Sequence, residues 1–214
     1  MAYLSKIKKN AFPLVMSAIF AIISIILVRN EVFFDDWYIE SAADGLFGAD
    51  NRGILVLGAN YLITGIIYVL SLTGIRLSWL HVIMLTINVI SSYMVTYVIY
   101  YGIQNKFKYL FATIIMLATI PFVSFYMQFT TTAAYCIAAA CVWIFFIKKE
   151  NVSKKKTVFG IVWVVLGSSL RFDAMYFSMA IIGVLGIVQL IKIIFENKKS
   201  KKVKEIIFSC WHFI

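Results

Sequence analysis

WLHVIMLTINVISSYMVTYVIYY, residues 79–101, runs for 23 residues without an Asp, Glu, Lys or Arg. At about 1.5 Å per residue, such a run crosses the roughly 30 Å of hydrocarbon in a bilayer as one α-helix. Six further apolar runs flank it, at 12–28, 53–72, 109–126, 129–147, 157–170 and 176–194. Runs approaching this length point to helices, because a membrane barrel would show short alternating strands. Composition agrees: 62% hydrophobic and 14% charged residues, with a mean hydropathy of +0.90, lie far from the roughly 45–50% apolar content of soluble domains. The expected fold class is all-α integral membrane, a single polytopic domain over residues 1–214.

The formal charge of +10 reflects 20 basic against 10 acidic residues. The lysines punctuate the apolar runs and form no stripe on a soluble face, so we read the excess as membrane topology and expect no nucleic-acid partner. Cys136, Cys141 and Cys210 show no metal-ligand or redox spacing, and the first two lie in an apolar run where cysteine packs as a small hydrophobe. His81 and His212 are too isolated for a metal site, and packing or an interface position is expected for both. Lysines ahead of residues 12–28 resemble the start of a signal peptide. The run is long for one and no small-residue cleavage site follows, so a retained anchor is expected.

Short cytoplasmic loops of membrane proteins carry an excess of Lys and Arg. If residues 53–72 lie on the outer surface, all sixteen lysines fall inside, while Arg29, Arg52, Arg76 and Arg171 fall outside with seven of the ten acids. The balance is then +13 inside and −3 outside. This threading gives about six spans, a cytoplasmic N-terminus, and a first extracytoplasmic loop at 29–78 holding one or two juxtamembrane helices. A second threading, with 53–72 crossing and the N-terminus outside, misplaces only Lys6, Lys8, Lys9, Arg76 and Arg171. The basic start and the polar break GANY at 58–61 favour the first. The last hairpin is tight: only 35 residues separate Lys156 from Lys192, against the roughly 40 that two crossings need. Its apex, RFDAM at 171–175, is therefore expected at or slightly below the outer interface.

Two polar concentrations stand out. Arg171 and Asp173 interrupt the last hairpin, where ionisable groups are costly enough to point to function. They either neutralise each other at headgroup level or leave the guanidinium to bind a phosphate bidentately. The loop after the first run contains FFDDWYIE at 33–40, with Asp35, Asp36 and Glu40 among aromatics. Adjacent carboxylates repel, so one holds its proton more tightly and is suited to general-base work. The plainer readings are a helix cap at Asp36 and a solvated loop.

A span, a DD pair with aromatics nearby, a Gly-containing stretch, then NYLITGIIYVLSLTG at 60–74 and a new span resemble the first half of the GT-C glycosyltransferases. The resemblance implies a polytopic transferase using polyprenyl-phosphate sugars, with the acidic pair in the first extracytoplasmic loop and residues 61–72 as the second of two juxtamembrane helices. It implies Asp35 as the base that deprotonates the acceptor, and Asp36 as an orienting group or a ligand to a divalent cation, with no other cofactor. SSLRFDAMY at 168–176 is similar to an Arg-x-acid element of related bacterial membrane proteins, in which the cation would stabilise the departing polyprenyl phosphate. Arg171, Asp173 and Glu40 are then the substrate-binding candidates. The implied partners are membrane lipid, the polyprenyl-phosphate sugar donor, and a glycan, lipid or protein acceptor, with the oligomeric state open.

Members of that superfamily are commonly longer, and residues 206–214 read as the beginning of another span, so an N-terminal portion of a longer protein is expected. Two other classes stay open. One is a transporter or flippase fragment with Arg171 and the acids lining a path; the other is a non-catalytic scaffold whose acidic loop binds a partner or cations.

Overall fold

The computed structural model describes residues 2–27, 61–75, 77–103, 106–125, 127–147 and 153–197. Among these residues there are seven α-helices and no strand: α1 Ala2–Leu27, α2 Tyr61–Ser71, α3 Trp79–Gly102, α4 Phe107–Ile120, α5 Phe129–Phe146, α6 Lys154–Leu170 and α7 Phe172–Asn197. A π-helical turn, Pro121–Phe125, continues α4 where proline ends the regular hydrogen-bond ladder. Three segments are long and apolar enough to cross a membrane: Trp79–Gly102, Phe107–Ser124 and Phe129–Phe146. Ala11–Leu27, Leu62–Ser71 and Met179–Val188 are shorter apolar helices. The helical architecture expected from the sequence is present, with three segments meeting the length of a span.

The helix ends follow local chemistry. Ser78 precedes α3, where its Oγ accepts from the His81 backbone N–H at 3.4 Å and meets the His81 ring at Nδ1. Ser153 caps α6 by accepting from the Lys156 backbone N–H at 3.3 Å. At the start of α5, the Gln128 N–H donates to Thr131 Oγ1 at 3.3 Å. Within α1, Pro13 cannot donate to the preceding turn, and Ser17 Oγ donates to the Pro13 carbonyl at 2.9 Å. At 11 residues, or about 17 Å, α2 is too short to cross a bilayer.

The chain divides into two compact units, Met1–Ser178 and Met179–Ile214. In the second, the described residues form the remainder of α7, with Met179, Val184, Ile187 and Val188 exposed. In the first unit, α5 packs broadly on α6 and on α3, while α3 also packs on α1 and α4. Contacts at the two ends fix the helix directions. At one end, Tyr97 of α3 meets Trp143 of α5, with ring centroids 5.1 Å apart, and Lys156 of α6. There too, Tyr100 of α3 meets Phe12 of α1 at 5.2 Å and Tyr109 of α4 at 5.6 Å. At the other end, Ser24 of α1 meets Ser124 of the π turn with their Oγ atoms 2.7 Å apart, and Arg171 after α6 meets Thr130 of α5. Hence α3 and α5 run one way, and α1, α4 and α6 run the other.

The polarity of this unit is inverted relative to a protein built for water. Ser24, Asn88, Ser91, Thr96, Ser124 and Thr132 are buried, while Leu110, Phe111, Ile114, Ile161 and Val165 are exposed. So many exposed large apolar side chains on the described helices fit an apolar solvent. Inside, small residues allow close approach: Ala133, Cys136 and Ala140 of α5 are fully buried against α6. Gly160 and Gly167 of α6 lie so close to α5 that an added Cβ would stand 2.7 Å from Ile144 Cγ1 and from Ile137 Cγ1, respectively. The two cysteines expected to pack as small hydrophobes are buried free thiols, and Cys136 Sγ donates to the Trp163 carbonyl at 3.1 Å.

Candidate functional site

Arg171 ends α6 with an extended backbone, φ −143° and ψ 122°, and its N–H returns to the Gly167 carbonyl at 3.4 Å. The next residue begins α7, so the corner places Asp173 in the first turn of a helix, where a carboxylate complements the helix dipole. Arg171 Nε donates to Asp173 Oδ2 at 3.5 Å. Its Nη1 donates to Thr130 Oγ1, and the guanidinium stands 5.4 Å from the Phe129 ring centroid. One cation thus joins the α6–α7 corner to the start of α5. The side chains of Arg171 and Asp173 are 37% and 70% exposed, so the ion pair is screened and contributes no more than about 1 kcal/mol. A guanidinium carries five donors, of which the described contacts use two. Arg171 and Asp173 are thus in contact, and the described contacts leave three guanidinium donors unused.

Asp35, Asp36 and Glu40 lie outside the described residues, as do the suggested cap at Asp36 and any divalent-cation site on the acidic pair. Among the described residues no group of three His, Cys, Asp or Glu side chains could hold a metal ion. The structure does fix where the chain departs toward them. Because Ser24 is fastened to Ser124, the C-terminal end of α1 at Leu27 stands at the end of the first unit that also carries Arg171 and Thr130.

Buried polar side chains run through the centre of the first unit. Trp163 Nε1 donates to Ser91 Oγ at 2.9 Å, and Asn88 Nδ2 donates to Thr132 Oγ1 at 3.2 Å. Both are bonds between helices, and all four residues are buried, so these groups join α3 to α5 and α6. Asn88 Oδ1 has no hydrogen-bond partner. Ser91 and Thr132 are thus engaged between helices, while Ser92 Oγ, like Asn88 Oδ1, has no hydrogen-bond partner among the described residues.

A second concentration of cations, at the end opposite Arg171, was not singled out in the sequence. Lys108 Nζ stands 4.2 Å from the Tyr100 ring centroid and 5.1 Å from that of Tyr109. Lys156 Nζ donates to Tyr97 OH at 2.9 Å and stands 4.8 Å from the Tyr97 ring centroid. The ring centroids of Tyr97 and Tyr101 are 4.5 Å apart at a tilt, and those of Tyr101 and Tyr100 are 5.1 Å apart edge to face, so the lysines bracket a row of touching phenols. The signal available was the spacing of Tyr93, Tyr97, Tyr100 and Tyr101, which puts several phenols on one helix end beside two lysine-bearing loops.

Comparison with protein-family models, curated proteins and solved structures finds no match.

Proposed function

We propose that the chain is a polytopic membrane protein of about six spans, resembling the GT-C glycosyltransferases, that transfers a sugar from a polyprenyl-phosphate donor to an acceptor on the extracytoplasmic face. In this reading residues 29–78 form the first extracytoplasmic loop. Asp35 removes the proton of the acceptor hydroxyl as its oxygen attacks the anomeric carbon, and Asp36 orients the acceptor or holds a divalent cation. Arg171 meets the phosphate that leaves with the bonding electrons, Asp173 holds the guanidinium, and Glu40 contributes to substrate binding.

One observation carries the proposal: the end of α1 that leads to Asp35 and Asp36 is the end at which Arg171 stands. The first threading has the same arrangement, with the start of the α1 apolar stretch at Phe12 stacked on Tyr100 near Lys108. Its flipped rival separates the N-terminal lysines from that end.

Two measurements test the reading. With Cys136, Cys141 and Cys210 replaced, single cysteines at Asp50 and Ser153 should label from opposite sides of the membrane, and labelling from the same side refutes the topology. The Asp35→Asn variant should abolish glycan production by the full protein in cells. Unchanged glycan at normal protein level removes Asp35 from the reaction and favours a scaffold.

A further inference from the structure

The lysine–tyrosine end of the first unit lacks a protein counter-charge among the described residues. Lys106, Lys108, Lys154, Lys155 and Lys156 all belong to that end, whereas the one described carboxylate of the unit, Asp173, is at the other. Lys106, Lys154 and Lys155 are exposed. The described contacts of Lys108 are with two ring faces, which attract a cation without neutralising it. Lys156 uses one of three ammonium donors on Tyr97 OH. Between them lie half-buried Tyr100 and Tyr101, and phenols of this kind favour the boundary between hydrocarbon and headgroup.

We infer that this strip, from Lys108 across Tyr100, Tyr101 and Tyr97 to Lys156, binds the phosphodiester headgroup of an anionic phospholipid. Charge and depth both select this occupant. Ammonium groups that face no carboxylate among the described residues attract an anion, and the adjoining exposed apolar side chains of α4, Leu110 and Phe111, suit acyl chains beside it. A free phosphate meets the first requirement alone. Tilted ring contacts with Tyr101 and Trp143 hold Tyr97 in place, and the hydrogen bond from Lys156 to its hydroxyl leaves the lysine less rotamer freedom to lose on binding. The site is at the opposite end from Arg171 and takes part in no step of the transfer reaction. It rests only on the reading that the unit sits in a bilayer.

The test uses the whole chain in nanodiscs of phosphatidylcholine alone or of equal parts phosphatidylcholine and phosphatidylglycerol. Native mass spectrometry after release counts the retained phosphatidylglycerol. The wild-type chain is expected to retain it, and each of Lys108→Gln and Lys156→Gln is expected to lower retention about fivefold, the effect of one basic residue near an anionic surface. Undiminished retention in the double variant overturns the proposal. If the double variant does not fold, Lys108→Gln alone decides, since that lysine has only ring contacts among those described. Stabilisation of the protein by inorganic phosphate in pure phosphatidylcholine discs, equal to that by phosphatidylglycerol, also overturns it in favour of a simple anion site. The bilayer reading fails separately, if the chain stays monodisperse in buffer without lipid or detergent.

Discussion

Gly167 and Ile137 stand at the limit of approach between α6 and α5: a Cβ on the glycine would lie 2.7 Å from Ile137 Cγ1 and 3.2 Å from the Ala133 backbone oxygen. Ile137 is buried, so neither neighbour can yield cheaply. Gly160 differs, because its contacts are Ile144 and Trp143 side-chain atoms and Ile144 is only half-buried. Alanine gains up to about 1 kcal/mol of helix propensity over glycine, whereas overpacking costs about 1–3 kcal/mol. Gly167→Ala is therefore expected to lower stability and Gly160→Ala to leave it within about 1 kcal/mol, read from denaturation in mild detergent. Equal effects at the two positions would contradict the close packing at Gly167.

The Trp163–Ser91 bond crosses between α6 and α3 in buried surroundings. A double-mutant cycle with Trp163→Phe and Ser91→Ala should give a coupling energy of about 0.6 kcal/mol, the usual size for a hydrogen bond between membrane helices. Strict additivity of the two substitutions would show that the bond contributes nothing.

Ser24 and Ser124 offer a direct test of how α1 is seated. Their Oγ atoms are 2.7 Å apart, so cysteines at both positions are expected to form a disulfide under mild oxidation. The cross-link would be seen as a mobility shift on a gel after cleavage between the two positions. Failure to cross-link, with both thiols reactive to a small alkylating reagent, would place α1 elsewhere.

Arg171 and Asp173 separate stability from chemistry. Their exposed pair supports a loss of no more than about 1 kcal/mol for Asp173→Asn. Arg171→Gln also removes the contacts to Thr130 and Phe129, and should cost more than Asp173→Asn. If Arg171 meets a departing phosphate, Arg171→Lys should keep the fold while lowering glycan output, because an ammonium cannot reproduce the planar fork. Normal output from Arg171→Lys would leave the residue a structural one.

Helix positions were the most legible part of the sequence, because uninterrupted apolar runs between lysine clusters allow few alternatives. The run at 129–147 became Phe129–Phe146, and that at 79–101 became Trp79–Gly102. The π turn at Pro121–Phe125 has no counterpart in the apolar pattern, where only the proline marks a break in the helix. The glycines at 160 and 167 look the same as any others in the sequence, and only the position of α5 makes them close contacts. Of the candidate site, the Arg171–Asp173 contact followed from their spacing at a turn, but its third member, Thr130, lies 41 residues away in the chain and carries no local signal. The lysine–tyrosine contacts carry no local signal for a related reason: Lys108 and Lys156 reach Tyr100 and Tyr97 from other helices.

The fastening of Ser24 to Ser124 has a consequence in tether mechanics. Asp35 follows Leu27 by eight residues, and eight fully extended residues reach at most about 28 Å. Asp35 therefore cannot lie farther than that from the end of α1, which stands at the end of the first unit that carries Arg171.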